Sequence, residues 1–524
     1  MESESASGSS MHTVDSFIPT YTDETNPSNL IASTAIRVND QDVSIKDYER
    51  DGTISFDIGR KYTDMAGIFT FRGNNFRSSP TYGMADMSKY KFQEIWRAKT
   101  GSVNQKGAYW SGNGWTGQPL MVRWPRATKR HMNMKRWAKR DDSLVEVIYA
   151  SMDGYIYFLD LATGRPTRDA MYLGFTFKGA GALDPRGYPI MYVGSGYDST
   201  KEGTSRAFII NLIDCSVMYT YGNDDPFSLR GHLSFFDSSS LVDAETDTLI
   251  QPGENGILYL IKLNTKYNER RGKVSINPDR VVKWRYQGKR SGSGSYWLGM
   301  ETSCAIYKGY LFVADNGGHL MCLNLNTLRL RWCQDILDDS NSSPVLSMEG
   351  GKLYLYISTS FHLGWRSNST VEIPIWKIDA SDGSIVWKTS YTCHSVKDSS
   401  GGVQSTIALG HRTLAGNIYV TVSRTDNTET GVLACIGKRN GRIKWEHKGA
   451  YTWSSPVCVY NNNGKDVVIY GRSDSNLYML DGLTGEEDDV MNLNSGVIEA
   501  SPAVFKDMLV VGTRGCSICG IKLK

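Results

Sequence analysis

The sequence contains nine cysteines and eight histidines, residue types that often act as nucleophiles, redox centres or metal ligands. Only Cys516 and Cys519 have the spacing of a redox pair. They fall in a strand-like segment with no helix start to activate a thiol, so we interpret them as structural. Cys322 and Cys333 could lie on neighbouring strands and form a disulfide, but we favour small buried hydrophobic residues.

No other set of residues defines a catalytic site. The histidines are isolated and lack the spacing of metal ligands. Residues 292–295 imitate the turn around a catalytic serine, but they have no strand-to-helix context. The acidic run 486–489 follows a turn and is typical of a solvated surface. The two carboxylates of a glycosidase cannot be recognised from spacing alone, so that chemistry stays open.

Three segments with a glycine followed by aromatic residues are the first candidate for ligand binding. Their aromatic residues are Tyr109, Trp110, Trp115, Tyr296, Trp297, Tyr451 and Trp453. In the fold predicted below, each segment joins the outermost strand of one repeat to the innermost strand of the next, so all lie on one face. Rigid aromatic side chains around one mouth would suit sugar rings, peptides or other flat ligands. The alternative is that they cap a central channel.

A basic segment is the second candidate. Its cationic residues are Arg123, Arg126, Lys129, Arg130, Lys135, Arg136, Lys139 and Arg140. By position it joins the first two strands of the first repeat, on the opposite face. It could bind an anionic polymer such as a cell-wall teichoic acid. The alternative, which we favour because Asp141 and Asp142 follow at once, is a protruding, solvated hairpin.

Composition places the chain among globular proteins rich in turns and strands. It has 40% hydrophobic residues, 52 glycines and 29 tyrosines, which favours many short strands joined by turns. The formal net charge of +3 is too small for a nucleic-acid-binding field. No apolar run reaches the roughly 18 residues of a membrane span.

One unit recurs along the chain and predicts the fold. A small polar residue, often before proline, precedes an apolar strand, and three further strands follow, the last often ending in Trp. Unit starts lie near residues 118, 185, 239, 303, 343, 405, 455 and 501. Within residues 155–160, apolar side chains alternate between the two faces of the strand. Each unit therefore has an apolar face that a neighbouring unit must cover. We therefore predict an all-β protein, an eight-bladed β-propeller of four-stranded antiparallel blades.

The two ends of the repeat region predict how the ring closes. The chain stops after three strands of the last unit, and residues 92–100 resemble an outer strand that lacks the other three. Pairing of this strand, near Trp96, with the final blade, near Ile521, would hide two sheet edges. We predict a propeller over 91–524, a small β segment packing on it over 31–90, and a disordered linker over 1–30.

The repeat resembles the quinoprotein-type, PQQ-like propeller repeat, with its Asp-Gly, aromatic-x-Leu-Asp, Thr-Gly and Trp positions. Residues 150–164, 302–332 and 476–485 match well, whereas the units near 185 and 239 match poorly. The resemblance implies either quinone-dependent alcohol dehydrogenases or a BamB-like, non-enzymatic branch. Residues 71–75, Phe-Arg-Gly-Asn-Asn, resemble propeller proteins of Gram-positive bacteria.

The resemblance also implies what a dehydrogenase would carry: adjacent cysteines, a calcium site of Glu and Asn, and a catalytic Asp. No adjacent cysteines occur in this sequence and no such acidic set matches, so we expect no quinone and no calcium. We assign the chain to the non-enzymatic branch. A divergent enzyme, quinoprotein-like or active on polysaccharides, with its site in the central funnel is the alternative.

The expected role is that of an exported binding or scaffold protein, extracellular or on the cell surface, whose export signal or anchor has been removed. We expect a monomer that recognises a protein or glycan through the aromatic loops, with a cell-surface polymer as a further partner. We expect no nucleic-acid partner.

Overall fold

The computed structural model describes residues 17–56, 61–105, 108–115, 117–196, 199–200, 203–230, 235–291, 298–361, 369–395 and 400–524. In this part of the chain, the main sheets are the eight blades of a β-propeller, mostly four-stranded and antiparallel. The predicted fold class is confirmed. Among these residues, no helix has the length and apolar character needed to cross a membrane.

Blades 1 to 4 follow one another along the chain, and their strands are given from the channel outward. Blade 1 comprises Leu120–Val122, Glu146–Ala150, Tyr155–Asp160 and Met171–Tyr172. Blade 2 comprises Ala182–Leu183, Ile190–Gly194, Ala207–Asn211 and Ser216–Tyr221. Blade 3 comprises Leu241–Asp243, Thr248–Pro252, Ile257–Lys262 and Arg280–Gly288. Blade 4 comprises Ala305–Tyr307, Tyr310–Ala314, His319–Asn324 and Arg329–Asp335.

Blades 5 to 8 complete the ring. Blade 5 comprises Val345–Glu349, Lys352–Ser358, Thr370–Asp379 and Ile385–His394. Blade 6 comprises Ala408–Leu409, Asn417–Ser423, Thr430–Gly437 and Ile443–Ala450. Blade 7 comprises Val457–Val459, Val467–Gly471, Asn476–Asp481 and Glu487–Asn492. Blade 8 comprises Ala503–Phe505, Met508–Thr513, Ser517–Leu523 and, as its outer strand, Phe92–Lys99.

The ring closes as predicted, through the early outer strand. Phe92–Lys99 pairs antiparallel with Ser517–Leu523, with Gly520 opposite Trp96. The closure removes the free edges that both strands would otherwise expose. Blade 2 begins earlier than predicted, because its inner strand is Ala182–Leu183 and the start near Pro185 was wrong. Pro185 lies in the turn that follows this strand.

The tryptophans of the outer strands join neighbouring blades. The indole N–H of Trp332 donates to the Ala380 carbonyl of the next blade at 2.9 Å, and Trp96 makes the same bond to Leu161 at 2.7 Å. Each ring packs on a turn glycine, and a Cβ on Gly383 would lie 2.7 Å from the Trp332 ring. Gly383 also has φ +76°, where side chains are strained. Turn shape and seam packing thus both require glycine here.

The inner strands are linked around the axis by serine and threonine side chains, which we name the hydroxyl ring. In each link a backbone N–H donates to the hydroxyl of the next blade: Ser239 to Ser303, Ser303 to Ser343, Ser343 to Thr406, Thr406 to Ser455, and Ser455 to Ser501. This ring explains the small polar residue at the start of six of the eight predicted units, those near 239, 303, 343, 405, 455 and 501.

The N-terminal residues lie along the outside of the ring. Ile31–Val38 pairs with the outer strand of blade 3, and Gln41–Val43 extends the same sheet. Residues 17–30 pack against blades 4 and 5, where Thr25 donates to the Asp382 carbonyl and its own carbonyl accepts from the Cys333 N–H. The disorder predicted for residues 1–30 therefore does not extend to 17–30, and 1–16 lie outside the described residues.

Residues 67–87, which we name the strap, cross one end of the channel. Gly67–Ile68 pairs with the inner strand of blade 1, and Thr81–Tyr82 runs parallel to that of blade 8. Between them, strap carbonyls accept backbone N–H groups from the inner strands of blades 2, 4 and 5. The strap therefore satisfies strand edges that face the axis and seals this end.

The cysteines do not form the disulfide considered above. Cys322 faces Trp332 in the strand register, whereas Cys333 faces Met321, so the two side chains lie on opposite faces of blade 4. All nine cysteines are free. Cys516 lies in a turn at φ +61°, and Cys519 is buried in the following strand. Burial raises the pKa of the Cys519 thiol to about 12, which agrees with a structural role.

Candidate functional site at the mouth of the channel

The end of the channel opposite the strap, which we name the mouth, is formed by the loops that enter the inner strands. The strap pairs with the far parts of those strands, near Val122 and Phe505. The hydroxyl ring lies at their beginnings, next to the mouth. Residues from loops that are distant in sequence therefore meet here around one axis.

Two tryptophans form an aromatic wall on one side of the mouth. The rings of Trp115 and Trp453 contact edge to face, with centroids 5.7 Å apart, and Tyr451 lies 6.2 Å from Trp453. Trp110 joins them through a shared lysine described below. Tyr109 is 63% exposed and stands outside the wall. Tyr296 and Trp297 lie outside the described residues. Four of the seven predicted aromatic residues are thus brought to one place.

Lys178 connects this wall to a group of buried carboxyls. Its Nζ lies 4.9 Å from the Trp110 ring centroid and 4.6 Å from that of Trp115. The same atom is 3.9 Å from Asp237 Oδ2, and both side chains are 5% exposed. A cation held between indole faces and a carboxylate is fixed in position as well as in charge.

Four carboxyl groups follow Lys178 around the axis: Asp237, Glu254, Glu301 and Asp339. Burial raises the pKa of Asp237 to about 7, with Lys178 opposing the shift and Glu301 adding to it. Burial also raises the pKa of Glu254 and of Asp339 well above the usual range, and in both cases Glu301 contributes. The raised pKa values of Asp237, Glu254 and Asp339 shift these three carboxyls toward their protonated forms, in which they donate as well as accept hydrogen bonds.

Arg230 and Asn316 hold the carboxyls in place. Arg230 Nη2 lies 3.0 Å from Glu254 Oε1, and its Nη1 donates to Asn316 Oδ1 at 2.7 Å. Asn316 Nδ2 donates to Glu301 at 3.2 Å and to Asp339 at 2.8 Å. Lys178 contacts the aromatic wall and Asp237, and Asp237 interacts electrostatically with Glu301, so we name the wall and the carboxyls together the mouth cluster.

Sequence reasoning missed the charged half of the mouth cluster, although a signal for it exists. Six side chains stand two residues before a member of the hydroxyl ring: Asp237, Glu301, Asn341, Gln404, Trp453 and Glu499. Aligning the repeats on that ring selects these positions directly. Glu499 belongs with the aromatic wall, because its Oε2 accepts a hydrogen bond from the backbone N–H of Trp115 at 3.2 Å. The same oxygen forms an ion pair with Arg514 at 3.1 Å.

The predicted basic segment lies at the strap end and is not a protruding hairpin. It forms two short helices, Arg126–Lys129 and Arg136–Arg140. The segment is anchored by buried Trp124, Met132 and Met134. Its backbone contacts two blades, with the Asn133 N–H donating to Ile213 and the Lys135 N–H to Thr167, each at 2.7 Å. Docking on the blades explains why the segment does not project into solvent.

A second basic segment lies beside the first. The hairpin Lys266–Asn268 and Lys273–Ser275 belongs to blade 3, and Thr128 donates to its Glu269 at 3.0 Å. This hairpin adds four exposed cations, Lys266, Arg270, Arg271 and Lys273. Lys129 does not belong to the surface, because it is buried and donates to the Asp141 carbonyl. We name residues 123–140 and 266–275 together the basic cap.

The residues present do not fit the quinone that related folds can hold. Lys178 already covers the faces of Trp110 and Trp115 that could stack on a flat cofactor. No adjacent cysteines occur in the sequence. Across the described residues, no group of three or more His, Cys, Asp or Glu is arranged to hold a metal ion.

Known structures share the fold of this chain at low sequence identity. No family model and no curated protein sequence matches. A quinohemoprotein alcohol dehydrogenase of Pseudomonas putida HK5 is 10% identical, with TM-score 0.57, covering 90% of this chain and 83% of its own. BamB from Moraxella catarrhalis is 11% identical, with TM-score 0.48, covering 83% and 98% respectively. The likeness to the dehydrogenase shows that the chain has the PQQ-like β-propeller fold.

Proposed function

We propose that the chain is a non-catalytic binding propeller that holds the end of a glycan in the mouth cluster. The indole of Trp453, which Trp115 contacts edge to face, offers an apolar face in the same cluster as buried carboxyl, amide and guanidinium groups. A sugar ring presents the matching combination of C–H faces and hydroxyls. Since Asp237, Glu254 and Asp339 favour their protonated forms, a neutral, hydroxyl-bearing ligand suits the site better than a strongly charged one.

One observation carries this proposal. Asp237 Oδ1 is buried, and no hydrogen-bond partner for it lies among the described residues. The indole N–H of Trp453 also lacks a partner there. A buried polar atom without a partner costs about 1–3 kcal/mol, which a bound hydroxyl would recover. The acceptor Asp237 Oδ1 and the donor Trp453 Nε1 thus both belong to the mouth cluster, where a hydroxyl-bearing ligand could pair with them.

The test is titration of the purified chain with a panel of neutral oligosaccharides, followed by tryptophan fluorescence and calorimetry. We expect Trp453→Ala and Asp237→Asn each to weaken binding about tenfold, through loss of a stacking face and of a polar contact. Tyr172→Ala, which removes an aromatic side chain that is 54% exposed on blade 1, is the matched control and should bind normally.

Other results would favour the alternatives. Binding that neither variant weakens would place the ligand elsewhere and contradict the proposal. Capture of a protein partner that depends on Trp453 would replace the glycan with a scaffold function. Release of new reducing ends from a polysaccharide, abolished by Glu301→Gln, would make the same mouth an enzyme site.

The basic cap supports a second contact, with an anionic polymer of the cell surface. In the described part of the chain, Arg136, Arg140, Lys266, Arg270, Arg271 and Lys273 form no ion pair. Arginine-rich surfaces suit phosphate groups, which accept two N–H bonds from one guanidinium. A polymer bound there would leave the mouth free for the glycan, as an exported surface protein would need.

A further inference from the structure

Two arginines of the strap are buried, and neither has a carboxylate partner among the residues that the structure describes. Arg72 and Arg77 are 1% and 0% exposed. Both adopt positive φ, +56° and +58°, a region that arginine rarely occupies. Because a buried cation is costly unless its charge is compensated, the surroundings of each guanidinium decide what the strap can bind.

Arg77 is fully satisfied by the protein. Its Nε donates to the Cys304 carbonyl at 2.7 Å, and its Nη2 donates to that of Ser239 at 2.9 Å. Its Nη1 donates to the Thr70 hydroxyl and to the Phe71 carbonyl. Arg77 therefore fixes the strap to blades 3 and 4 through hydrogen bonds.

Arg72 is not satisfied in this way. Its Nη2 donates to the Pro456 carbonyl at 2.8 Å, but no partner for Nε or Nη1 lies among the described residues. Burial lowers the pKa of Arg72 to about 10, with small opposing effects from Cys458 and Tyr460. The side chain therefore remains a cation at neutral pH, with two nitrogens, Nε and Nη1, whose N–H groups find no acceptor among the described residues.

The carbonyl that binds Arg72 belongs to the residue next to one hydroxyl of the hydroxyl ring. Pro456, which binds Arg72, directly follows Ser455 of the hydroxyl ring. The Ser455 hydroxyl accepts the Thr406 N–H, and the Thr406 hydroxyl accepts the Ser343 N–H. No acceptor for the hydroxyl protons of Ser455 or Thr406 lies among the described residues. A guanidinium and neighbouring hydroxyl protons together form a donor set for an anion.

We propose that Arg72 holds a small monovalent anion such as chloride in the channel, between the strap and the hydroxyl ring. A single charge matches the single cation, whereas phosphate or sulfate would bring a second buried charge without a partner. The site is separate from the mouth cluster and does not depend on the proposed glycan. The role of the bound anion is to compensate the positive charge of Arg72, which the strap places in the channel.

The test compares unfolding temperatures in sodium chloride and sodium gluconate at equal ionic strength. Wild type should gain stability with chloride in a saturable way, because a ligand of the native state stabilises it by mass action. Arg72→Met should lose this response and be no less stable than wild type in gluconate. Arg77→Met, the matched control, should be less stable in both salts but keep the chloride response.

A second measurement does not rely on either variant folding. Crystals of the wild-type protein grown in bromide should show an anomalous scattering peak beside Arg72 Nε and Nη1. Absence of that peak, or an Arg72→Met protein that responds to chloride as wild type does, would overturn the proposal.

Discussion

The two ends of the central channel use buried charge in different ways. At the strap end, Arg77 is bound by backbone carbonyls and one hydroxyl, so its charge serves to fix one segment against two blades. At the mouth, charged side chains bind one another, and the pKa of Asp237 is raised to about 7. Bonds to backbone favour rigidity, whereas interacting side chains with shifted pKa values are typical of functional sites. The comparison supports the proposal that the mouth binds the glycan, whereas Arg77 fixes the strap against the blades.

The largest expected effect is at the strap end. Arg77→Ala removes four hydrogen bonds and leaves buried acceptors unsatisfied, so it should lower the free energy of unfolding by about 3 kcal/mol or more. Denaturant-induced unfolding measures this change. Arg439→Ala, at an exposed turn, is the control and should stay within about 0.5 kcal/mol of wild type. A small effect of Arg77→Ala would mean that the strap contributes little to the native fold.

The next effect concerns pH at the mouth. Because the pKa of Asp237 is raised by folding, the native state holds a proton that the unfolded state releases, and this contribution falls as pH rises from about 4 to 7. Asp237→Asn removes it, so the variant should gain stability relative to wild type, by about 1 kcal/mol or more, between pH 4.5 and 7.5. Urea unfolding at both pH values measures the difference. An equal difference at both values would show that Asp237 does not titrate in this window.

A smaller effect distinguishes tryptophans of the mouth from those of the seams. Trp332→Ala removes a fully buried ring and should cost about 3–5 kcal/mol. Trp453→Ala, at a partly exposed position, should cost about 1 kcal/mol while weakening ligand binding. Thermal unfolding of the two variants makes the comparison. Equal losses of stability would assign Trp453 to structure.

The smallest effect on stability is expected at the basic cap. Arg270→Gln, Arg271→Gln and Lys273→Gln combined should leave unfolding unchanged but weaken binding of poly(glycerol phosphate) about tenfold at low salt. Lys388→Gln, Arg439→Gln and Arg442→Gln combined are a matched control on blades 5 and 6. If both triple variants bind equally weakly, overall charge and not the cap governs binding.

The propeller could be predicted because its determinants are local and repeated. Turn glycines such as Gly383, outer-strand tryptophans such as Trp332 and the hydroxyl residues of the hydroxyl ring recur at corresponding places in most units, so one sequence reveals them. The misplaced start near Pro185 shows the limit, since a proline outside the strand was taken as its beginning. Ring closure could be predicted for a similar reason, because the last unit lacks its outer strand and an unpaired outer strand precedes the first unit.

The charged part of the mouth could not be predicted in the same way. Lys178, Arg230 and Asn316 come from loops of unrelated sequence, and only the closed ring brings them together. The basic cap could not be predicted for the same reason. Residues 123–140 and the hairpin near Arg270 are distant in the chain, and only the folded ring brings them together. The path of the strap across the inner strands depends on hydrogen bonds that no local pattern encodes.

Oligosaccharide titration of three proteins tests the central claim most directly: wild type, a Trp115→Ala and Trp453→Ala double variant, and the triple variant at the basic cap. If the mouth holds the ligand, the double variant should lose binding and the triple variant should keep wild-type affinity. Wild-type affinity in the double variant, or an equal loss in both, would contradict the assignment of function to the mouth.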